Sequence, residues 1–275
     1  MTPPEGFEVT PVRPGEAVLD LRAGGARAVV RPEHGGRIGS VTVDGRELLV
    51  TGHPLGPIHW GSYPMAPWAG RIRHGRFSFA GHEHELPLAA PPHALHGVVL
   101  DRPWQVAGPD RITIELDDRW PFRGRVAQAF ALTDDGLDMT MTLEADDPMP
   151  AVIGWHPWFR RRLEPGGAVV DLAFDAAEML VRDGEGIPSG KRTAPPPGPW
   201  DDAFTGLRSN PVLTWPGLRL ELASSCPWWV VYTYPRHAVC VEPQSGPPDA
   251  ANAGPEVVEP GAPLVHSMRW RWTRT

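Results

Sequence analysis

The sequence predicts an all-β protein, a large antiparallel β-sandwich, and two patterns carry this prediction. The first is a strict alternation in residues 137–143, in which apolar residues alternate with Asp138, Thr140 and Thr142, as in a strand with one buried and one solvated face. The second is composition, because 34 Pro and 30 Gly are spread along 275 residues and leave little room for long helices. Since no window shows an apolar stripe of period 3.6, we expect antiparallel sheets stacked on each other.

The predicted strands are short apolar segments separated by turn residues. In chain order they are Ala17–Leu21, Ala26–Arg31, Ile38–Val43, Phe77–Phe79, Ile112–Leu116, Val126–Leu132, Leu137–Leu143, Val169–Phe174, Leu218–Leu222, Trp229–Tyr234, Val239–Glu242 and Leu264–Trp272. Residues 133–136, Thr-Asp-Asp-Gly, suit the tight turn of a hairpin. The Pro-rich residues 195–199 are flanked by strands of the same character, so we expect a surface loop there and a single domain over residues 1–275.

The charge and the ends of the chain exclude several classes of partner. The formal net charge of -7 argues against nucleic acid or an anionic membrane as the partner and favours a neutral small molecule. Residues 1–12 lack the basic and apolar regions of a signal peptide, and no segment approaches the roughly 18 apolar residues of a membrane span. We therefore expect a cytoplasmic protein, in which Cys226 and Cys240 are buried free thiols.

The segment Trp155-His156-Pro157-Trp158-Phe159 surrounds one imidazole with aromatic rings. Sugar sites are built in this way, because a pyranose packs its C–H face on aromatic rings and its hydroxyls need a few polar groups. An imidazole can also transfer protons near neutral pH. The alternative is a core histidine whose ring nitrogens are satisfied by the backbone.

Four further segments combine polar groups in ways that turns and surfaces do not require. They contain Arg71 among small and apolar residues, His93 and His96 before Gly97, Asp201 and Asp202 between aromatic residues, and Glu242 at the end of an apolar strand. A buried glutamate is costly unless it is paired. Alternatively, the aliphatic part of the Arg71 side chain covers the core while its guanidinium reaches water. The two aspartates can likewise belong to a cap or a turn.

His82 and His84 suggest a metal site as a rival. Two histidines separated by one residue in a strand point to the same face, which is how some β-barrels hold a metal ion. An exposed polar strand explains the same pattern, and it is favoured because no further ligands occur at the expected spacings.

Taken in this order, the segments resemble the aldose 1-epimerase (galactose mutarotase) family. The resemblance runs from Gly35-Gly36-Arg37-Ile38 to Asn252 and the C-terminal Trp-rich strand. Members are large β-sandwich proteins that interconvert the α and β anomers of free aldoses without a cofactor. The resemblance therefore implies the galactose mutarotase-like supersandwich fold, an isomerase active in carbohydrate metabolism, and no metal.

The resemblance assigns a role to each site residue. Residues 67–72 resemble the family's Pro-x-x-Asn-Arg-Ile, which makes Arg71 the sugar-binding arginine and places Gly70 where the family has Asn. His93 to Gly97 matches His-x-Leu-His-Gly, so His96 is expected to hydrogen-bond the sugar near its ring oxygen.

The remaining motifs supply the acid, the base and a hydroxyl acceptor. Residues 154–159 resemble Gly-x-His-Pro-Tyr-Phe, which makes His156 the general acid, and the block around Val241-Glu242-Pro243 makes Glu242 the base. Asp201 is expected, in preference to Asp202, to accept a hydrogen bond from a sugar hydroxyl, and the choice between these two aspartates stays open. Trp158 is expected to be a ring that covers the sugar. Ring opening needs a base at the anomeric hydroxyl and an acid at the ring oxygen, and a carboxylate near the imidazole is expected to favour the imidazolium.

Two other functions remain open at this point. Arg160-Arg161-Arg162 follows the His156 segment and suits a phosphate, which allows a hexose-6-phosphate 1-epimerase, although a solvated basic turn explains it as well. A sugar-binding or sensing protein without catalysis is the other alternative. The expected partner is in each case a small-molecule sugar, with no nucleic acid and no membrane, bound by a monomer or homodimer; the sequence does not identify the sugar.

Overall fold

Two large antiparallel sheets pack face to face in the computed structural model, which describes residues 15–275. The predicted all-β sandwich is therefore confirmed. The expectation that no signal peptide is present concerns residues 1–12, which lie outside the described residues. None of the helices in residues 15–275 is long and apolar enough to cross a membrane.

The described residues contain 25 strands, and their bounds follow in chain order. The first thirteen are β1 (Leu19–Ala23), β2 (Ala26–Arg31), β3 (Arg37–Val43), β4 (Arg46–Glu47), β5 (Ser62–Met65), β6 (Arg71–Ile72), β7 (Arg76–Phe79), β8 (His82–Glu85), β9 (Ala94–Leu95), β10 (Gln105–Gly108), β11 (Arg111–Glu115), β12 (Gly124–Leu132) and β13 (Gly136–Ala145). The others are β14 (Met149–Ala151), β15 (Gly154–Arg160), β16 (Asp171–Ala173), β17 (Ala176–Arg182), β18 (Pro188–Thr193), β19 (Asp201–Leu207), β20 (Val212–Trp215), β21 (Leu218–Ser224), β22 (Trp228–Tyr232), β23 (Ala238–Gln244), β24 (Glu256–Val258) and β25 (Leu264–Arg274). The helical segments are three 3-10 turns, Pro32–His34, Pro57–His59 and Arg73–Gly75, and the short helix α1 (Ala250–Ala253).

The two large sheets have different sizes. The first has eleven strands in the order β1-β2-β3-β5-β15-β23-β22-β19-β17-β18, with β4 paired to β3. The second has eight strands in the order β10-β11-β12-β13-β25-β21-β20-β16. Three two-stranded ribbons, β6-β9, β7-β8 and β14-β24, complete the fold. The Pro-rich residues 195–199 connect β18 to β19 within the first sheet and are mostly exposed.

All twelve predicted strands correspond to strands of the structure, each within two residues at both ends. Several strands escaped prediction, among them β5, β15, β17 and β19. In β15 six of seven residues are buried. One face of this strand packs against the second sheet, and neighbouring side chains cover the other face. A strand buried on both faces has no polar positions to alternate, so the period-two pattern is missing.

The core between the sheets is rich in indole rings. The Phe159 and Trp270 rings lie 4.9 Å apart, one from each sheet. Trp155 is fully buried, and its Nε1 donates a hydrogen bond to Oε1 of Gln128 on β12 at 3.1 Å. Cys226 and Cys240 are buried and form no disulfide, as expected.

Candidate active site

The register of β15 against β23 brings the predicted acid and base together. Gly154 pairs with Gln244 and Trp158 pairs with Cys240, so His156 and Glu242, midway between these pairs, face each other on neighbouring strands. Alternate residues of a strand point to opposite faces. Since Trp155 on β15 lies in the core between the sheets, His156 and Glu242 point to the outer face of the eleven-stranded sheet.

The two side chains are close and almost completely buried. His156 Nε2 lies 3.2 Å from Glu242 Oε1, and the two residues are 5% and 2% exposed. Gln244 Nε2 donates a hydrogen bond to Glu242 Oε2 at 3.4 Å. The imidazole is stacked between Tyr63, at a centroid distance of 4.7 Å, and Trp158, at 5.3 Å, so its orientation is fixed by packing.

Burial determines the protonation of this pair. Desolvation raises the pKa of Glu242 well above its usual value, with the charge of Asp201 acting in the same direction. Desolvation also lowers the pKa of His156 well below its usual value, and His96 adds to the shift. In the protein without ligand, desolvation therefore acts against the imidazolium that a neighbouring carboxylate was expected to favour. The uncharged pair still holds one proton that can move between Glu242 and His156.

An open cavity of about 270 Å³ lies above the pair. Each predicted site residue lines it, namely Arg71, His96, His156, Trp158, Asp201 and Glu242. Asp202 also lines the cavity, and so do Tyr63, Arg182, Tyr232 and Gln244, which the sequence did not indicate. The motifs are therefore brought to one place although they are separated by up to 171 positions in the chain.

His96 is held as a neutral donor. The ring Nδ1 accepts a hydrogen bond from the Gly70 N–H at 3.2 Å, and the backbone N–H of His96 donates to Gly70 O at 3.0 Å. Desolvation, followed by the charge of Arg71, lowers the pKa of His96 to about 3. A neutral imidazole that accepts at Nδ1 carries its proton on Nε2, which leaves an N–H for a ligand.

Gly70 has a left-handed backbone with φ of 71°, and a Cβ there would lie 2.8 Å from Pro248 Cβ. The family asparagine is thus replaced by a residue that lets Pro248 approach the backbone. Gly70 and Pro248 both line the cavity beside His96.

Arg71 and Asp201 supply opposite charges on the cavity wall. Within residues 15–275 the Arg71 guanidinium forms no hydrogen bond or ion pair with another side chain, so its donors are available. Asp201 has its pKa raised by desolvation, while Arg182 and Arg71 oppose this shift.

Arg182 connects both candidate aspartates. Its Nη1 lies 3.0 Å from Asp201 Oδ2, and its Nε lies 2.9 Å from Asp202 Oδ1. Asp201 pairs with Tyr232, which in turn pairs with Cys240, so Asp201 shares the face of Glu242. Arg182 follows the apolar residues 179–181 at the end of β17, a signal similar to the one that singled out Glu242.

The aromatic rings of the histidine segment divide between core and cavity. Trp155 and Phe159 lie in the core between the sheets, whereas Trp158 lines the cavity and is 4% exposed. The indole stacks on His156 at one side and on His237 at 5.8 Å at the other. One face of the Trp158 indole therefore packs against the imidazole of His156 and holds it in place.

The three arginines after this segment do not reach the cavity. Arg160 Nε donates to Leu49 O, Arg161 Nε donates to Pro235 O, and Arg162 Nη1 donates to Gly167 O. None of them lines the cavity. These residues therefore form no phosphate site at this cavity, because none of them lines it and each binds a backbone carbonyl. Arg162 is exposed, as in a solvated basic turn.

His82 and His84 lie on the β7-β8 ribbon, where the His84 ring stacks on Phe77 at 5.0 Å. Among residues 15–275, three potential metal ligands come within 4.8 Å of one another at His156, Cys240 and Glu242, and the two histidines of β8 belong to no such group.

Comparison with known proteins identifies relatives of the whole fold. The family model described as aldose 1-epimerase matches residues 17–202. The protein YphB of Escherichia coli K12 is 26% identical over 217 residues, which cover 68% of this chain and 73% of YphB. A crystal structure of a putative aldose 1-epimerase from Escherichia coli K12 has a TM-score of 0.81 at 22% identity and covers 95% of this chain and 100% of its own.

Two further crystal structures show the same fold at lower identity. A galactose mutarotase-like protein from Clostridium acetobutylicum has a TM-score of 0.84 at 14% identity, with coverage of 94% and 96%. A galactose 1-epimerase from Lactobacillus acidophilus NCFM has a TM-score of 0.78 at 16% identity, with coverage of 98% for both chains.

Proposed function

Because the chain belongs to the aldose 1-epimerase family, we propose that it is an isomerase that interconverts the α and β anomers of a free aldose. The observation that carries the proposal is the buried His156–Glu242 pair, separated by 3.2 Å, at the floor of an open cavity. A carboxyl and an imidazole that share one proton provide a base and an acid at a single bond. Arg71, His96 and Asp201 surround this pair with hydrogen-bonding groups for sugar hydroxyls.

The reaction needs no group besides these side chains. Proton transfer from Glu242 to His156 gives a carboxylate and an imidazolium. The carboxylate then removes the proton of the anomeric hydroxyl, the imidazolium protonates the ring oxygen, and the C1–O5 bond breaks to give the open aldehyde. Rotation about C1–C2 presents the other aldehyde face, and reclosure returns both protons with the roles of His156 and Glu242 exchanged.

Among the charges around the pair, Arg71 favours the first proton transfer, whereas Asp201 opposes it. Arg71 lowers the pKa of Glu242 and thereby opposes the desolvation that raises it. A sugar whose hydroxyls donate to the carboxylate acts in the same direction, because hydrogen bonds to the charged form favour that form. The acid–base state that the reaction uses is thus expected to form when the substrate binds.

A free aldose suits the cavity better than a sugar phosphate. The Arg160–Arg162 donors lie outside it, and Arg182 is already bound to two carboxylates. A dianionic phosphate would have to compete with both aspartates for that guanidinium. The hydroxyls of a neutral sugar can instead share Arg71, His96 Nε2–H and Asp201.

Polarimetry of purified variants tests the proposal. Glu242→Gln and His156→Asn should each lower the mutarotation rate by roughly 10²- to 10⁴-fold, which is the usual contribution of a general acid or base. His82→Asn, on the exposed β8 strand, is the matched control and should keep the wild-type rate. Circular dichroism establishes that each variant is folded.

Two results would overturn the assignment. A wild-type rate in either site variant would show that the pair does not carry the chemistry. Sugar binding in calorimetry without any acceleration of mutarotation would instead favour a binding or sensing protein. A panel of free aldoses and their 6-phosphates then identifies the substrate, and faster turnover of a 6-phosphate would reverse the preference for a neutral sugar.

A further inference from the structure

A buried thiol belongs to the same cluster as the acid and the base, and mutarotation does not use it. Cys240 precedes Glu242 by two residues on β23, so both side chains point to the same face of the sheet. It is fully buried and pairs with Trp158 on one side and Tyr232 on the other. The sheet thus places a sulfur atom directly behind the catalytic pair.

The three side chains offer a compact set of metal ligands. One imidazole nitrogen of His156, Cys240 Sγ and one carboxylate oxygen of Glu242 all lie within 4.8 Å of one another. Zinc binds nitrogen, sulfur and oxygen at about 2.0 to 2.3 Å in a tetrahedral arrangement, which separates its ligand atoms by about 3.4 Å. Small side-chain rotations are enough to close a set of this size around an ion.

We propose that His156, Cys240 and Glu242 form an inhibitory site for a thiophilic divalent metal ion, with Zn²⁺ as the best match. Binding replaces the thiol proton and the proton of the His156–Glu242 pair, so two protons leave to solvent as one Zn²⁺ enters. A thiolate, a carboxylate, a neutral imidazole and Zn²⁺ sum to zero charge. Burial opposes each isolated charge but not this neutral set.

The site has an entrance and leaves one zinc position open. His156 and Glu242 line the cavity, so an ion from solvent reaches them directly, while Cys240 lies behind them. Three protein ligands leave the fourth tetrahedral position toward the cavity, where water completes the coordination. The ion removes both the acid and the base from use, and this consequence rests on the function proposed above.

Zinc inhibition compared between two cysteine variants tests the proposal. Cys226 is the matched control, because it is also buried but lies outside the cavity. ZnCl₂ should inhibit mutarotation by wild type and Cys226→Ser alike, and EDTA should restore the rate. In Cys240→Ser the zinc concentration for half-inhibition should rise by about 100-fold or more, since loss of even an outer-shell partner weakens metal binding by about 10- to 100-fold. Each rate is compared with the same variant's rate without zinc.

Cobalt binding tests the site without reference to activity. Co²⁺ added to wild type and to Cys226→Ser should give the near-ultraviolet thiolate-to-cobalt absorption band, and Cys240→Ser should lack it. Cys240→Ala serves as the second variant if serine is not tolerated at this buried position. The cobalt band is expected even if no variant accelerates mutarotation. Its absence would therefore refute the metal site, whereas a lack of mutarotation would refute the proposed function.

Three results would overturn the metal site. The cobalt band would persist without Cys240, or it would be absent from the wild type. Alternatively, zinc would inhibit the Cys240 and Cys226 variants equally, which would place the inhibitory ion at other ligands, such as His237, which stacks on Trp158.

Discussion

Replacing His237 by glutamine should make the protein less sensitive to acid. The His237 ring is half-buried, stacks on Trp158 and His53, and lies near His59 and Arg161. Desolvation is the main cause that lowers its pKa to about 4 from 6.5, and the charges of His53, His59 and Arg161 add to the shift. Its pKa is therefore below that of an unfolded chain, and acid should favour unfolding.

The sign and size follow from proton linkage. Between pH 6.5 and pH 4 the unfolded His237 binds a proton and the folded one does not, so stability is retained above pH 6.5 and is lost as the pH falls. With these two pKa values, the loss amounts to about 0.2 kcal/mol at pH 7 and about 2.0 kcal/mol at pH 5. Because solvent screens part of the interaction of a half-buried ring, we expect about 1 kcal/mol of difference between these two pH values.

Urea denaturation at pH 7 and pH 5 measures this difference. The free energy of unfolding of His237→Gln should fall by about 1 kcal/mol less than that of the wild type over this interval. The comparison uses the change with pH, so any loss of packing in the variant cancels. An equal fall in both proteins would refute the argument, as would an NMR titration that places the His237 pKa near 6.5 in the folded protein.

Two further substitutions test the cavity wall. Arg182→Gln leaves both aspartates without their cation and should raise KM about tenfold, equivalent to about 1.4 kcal/mol of binding, with little change in kcat. The exposed Arg192→Gln is the control. An unchanged KM for Arg182→Gln would contradict the role of Arg182 in holding the two aspartates. Gly70→Ala should lower the free energy of unfolding by about 2–4 kcal/mol, because a left-handed backbone and contact with Pro248 act together. Gly45→Ala, whose φ is 77° and whose Cβ would contact nothing within 4 Å, should lose only about 1–2 kcal/mol, and equal losses in urea denaturation would exclude the contact.

Alternation in the sequence predicts strands that have one solvated face and gives no signal for β15, which has none. Residues 137–143 alternate because β13 has the core on one face and solvent on the other, as its burial pattern shows. In β15 the residues His156 and Trp158 face the cavity and are still almost fully buried, and Pro157 further disguises the strand. The residues that carried the functional signal thus gave no alternation from which this strand could be predicted.

Motif order predicted the residues around the cavity, but their contacts depend on register. Arg182 and Tyr232 escaped because their proximity to Asp201 follows from the pairing of β19 with its neighbours, which no local pattern contains. The sequence allowed Arg160 and Arg161 to be interpreted as phosphate ligands for a similar reason. Their donors bind carbonyls of distant segments, and a sequence does not show which carbonyls face a given side chain.

The positions of the site residues separate the chemistry from the choice of sugar. His156 and Glu242 face each other on adjacent central strands, where the spacing of about 4.5–5.5 Å between opposed Cβ atoms is set by the sheet itself. Arg71 and His96 come instead from the short β6-β9 ribbon and its edge, and Asp201 from the start of β19. Changes in these peripheral segments, such as glycine at position 70, can reshape the hydroxyl contacts while the distance between acid and base stays fixed. Under the proposed function, a rigid central pair with replaceable surroundings would let one sheet serve aldoses that differ only in the orientation of a hydroxyl.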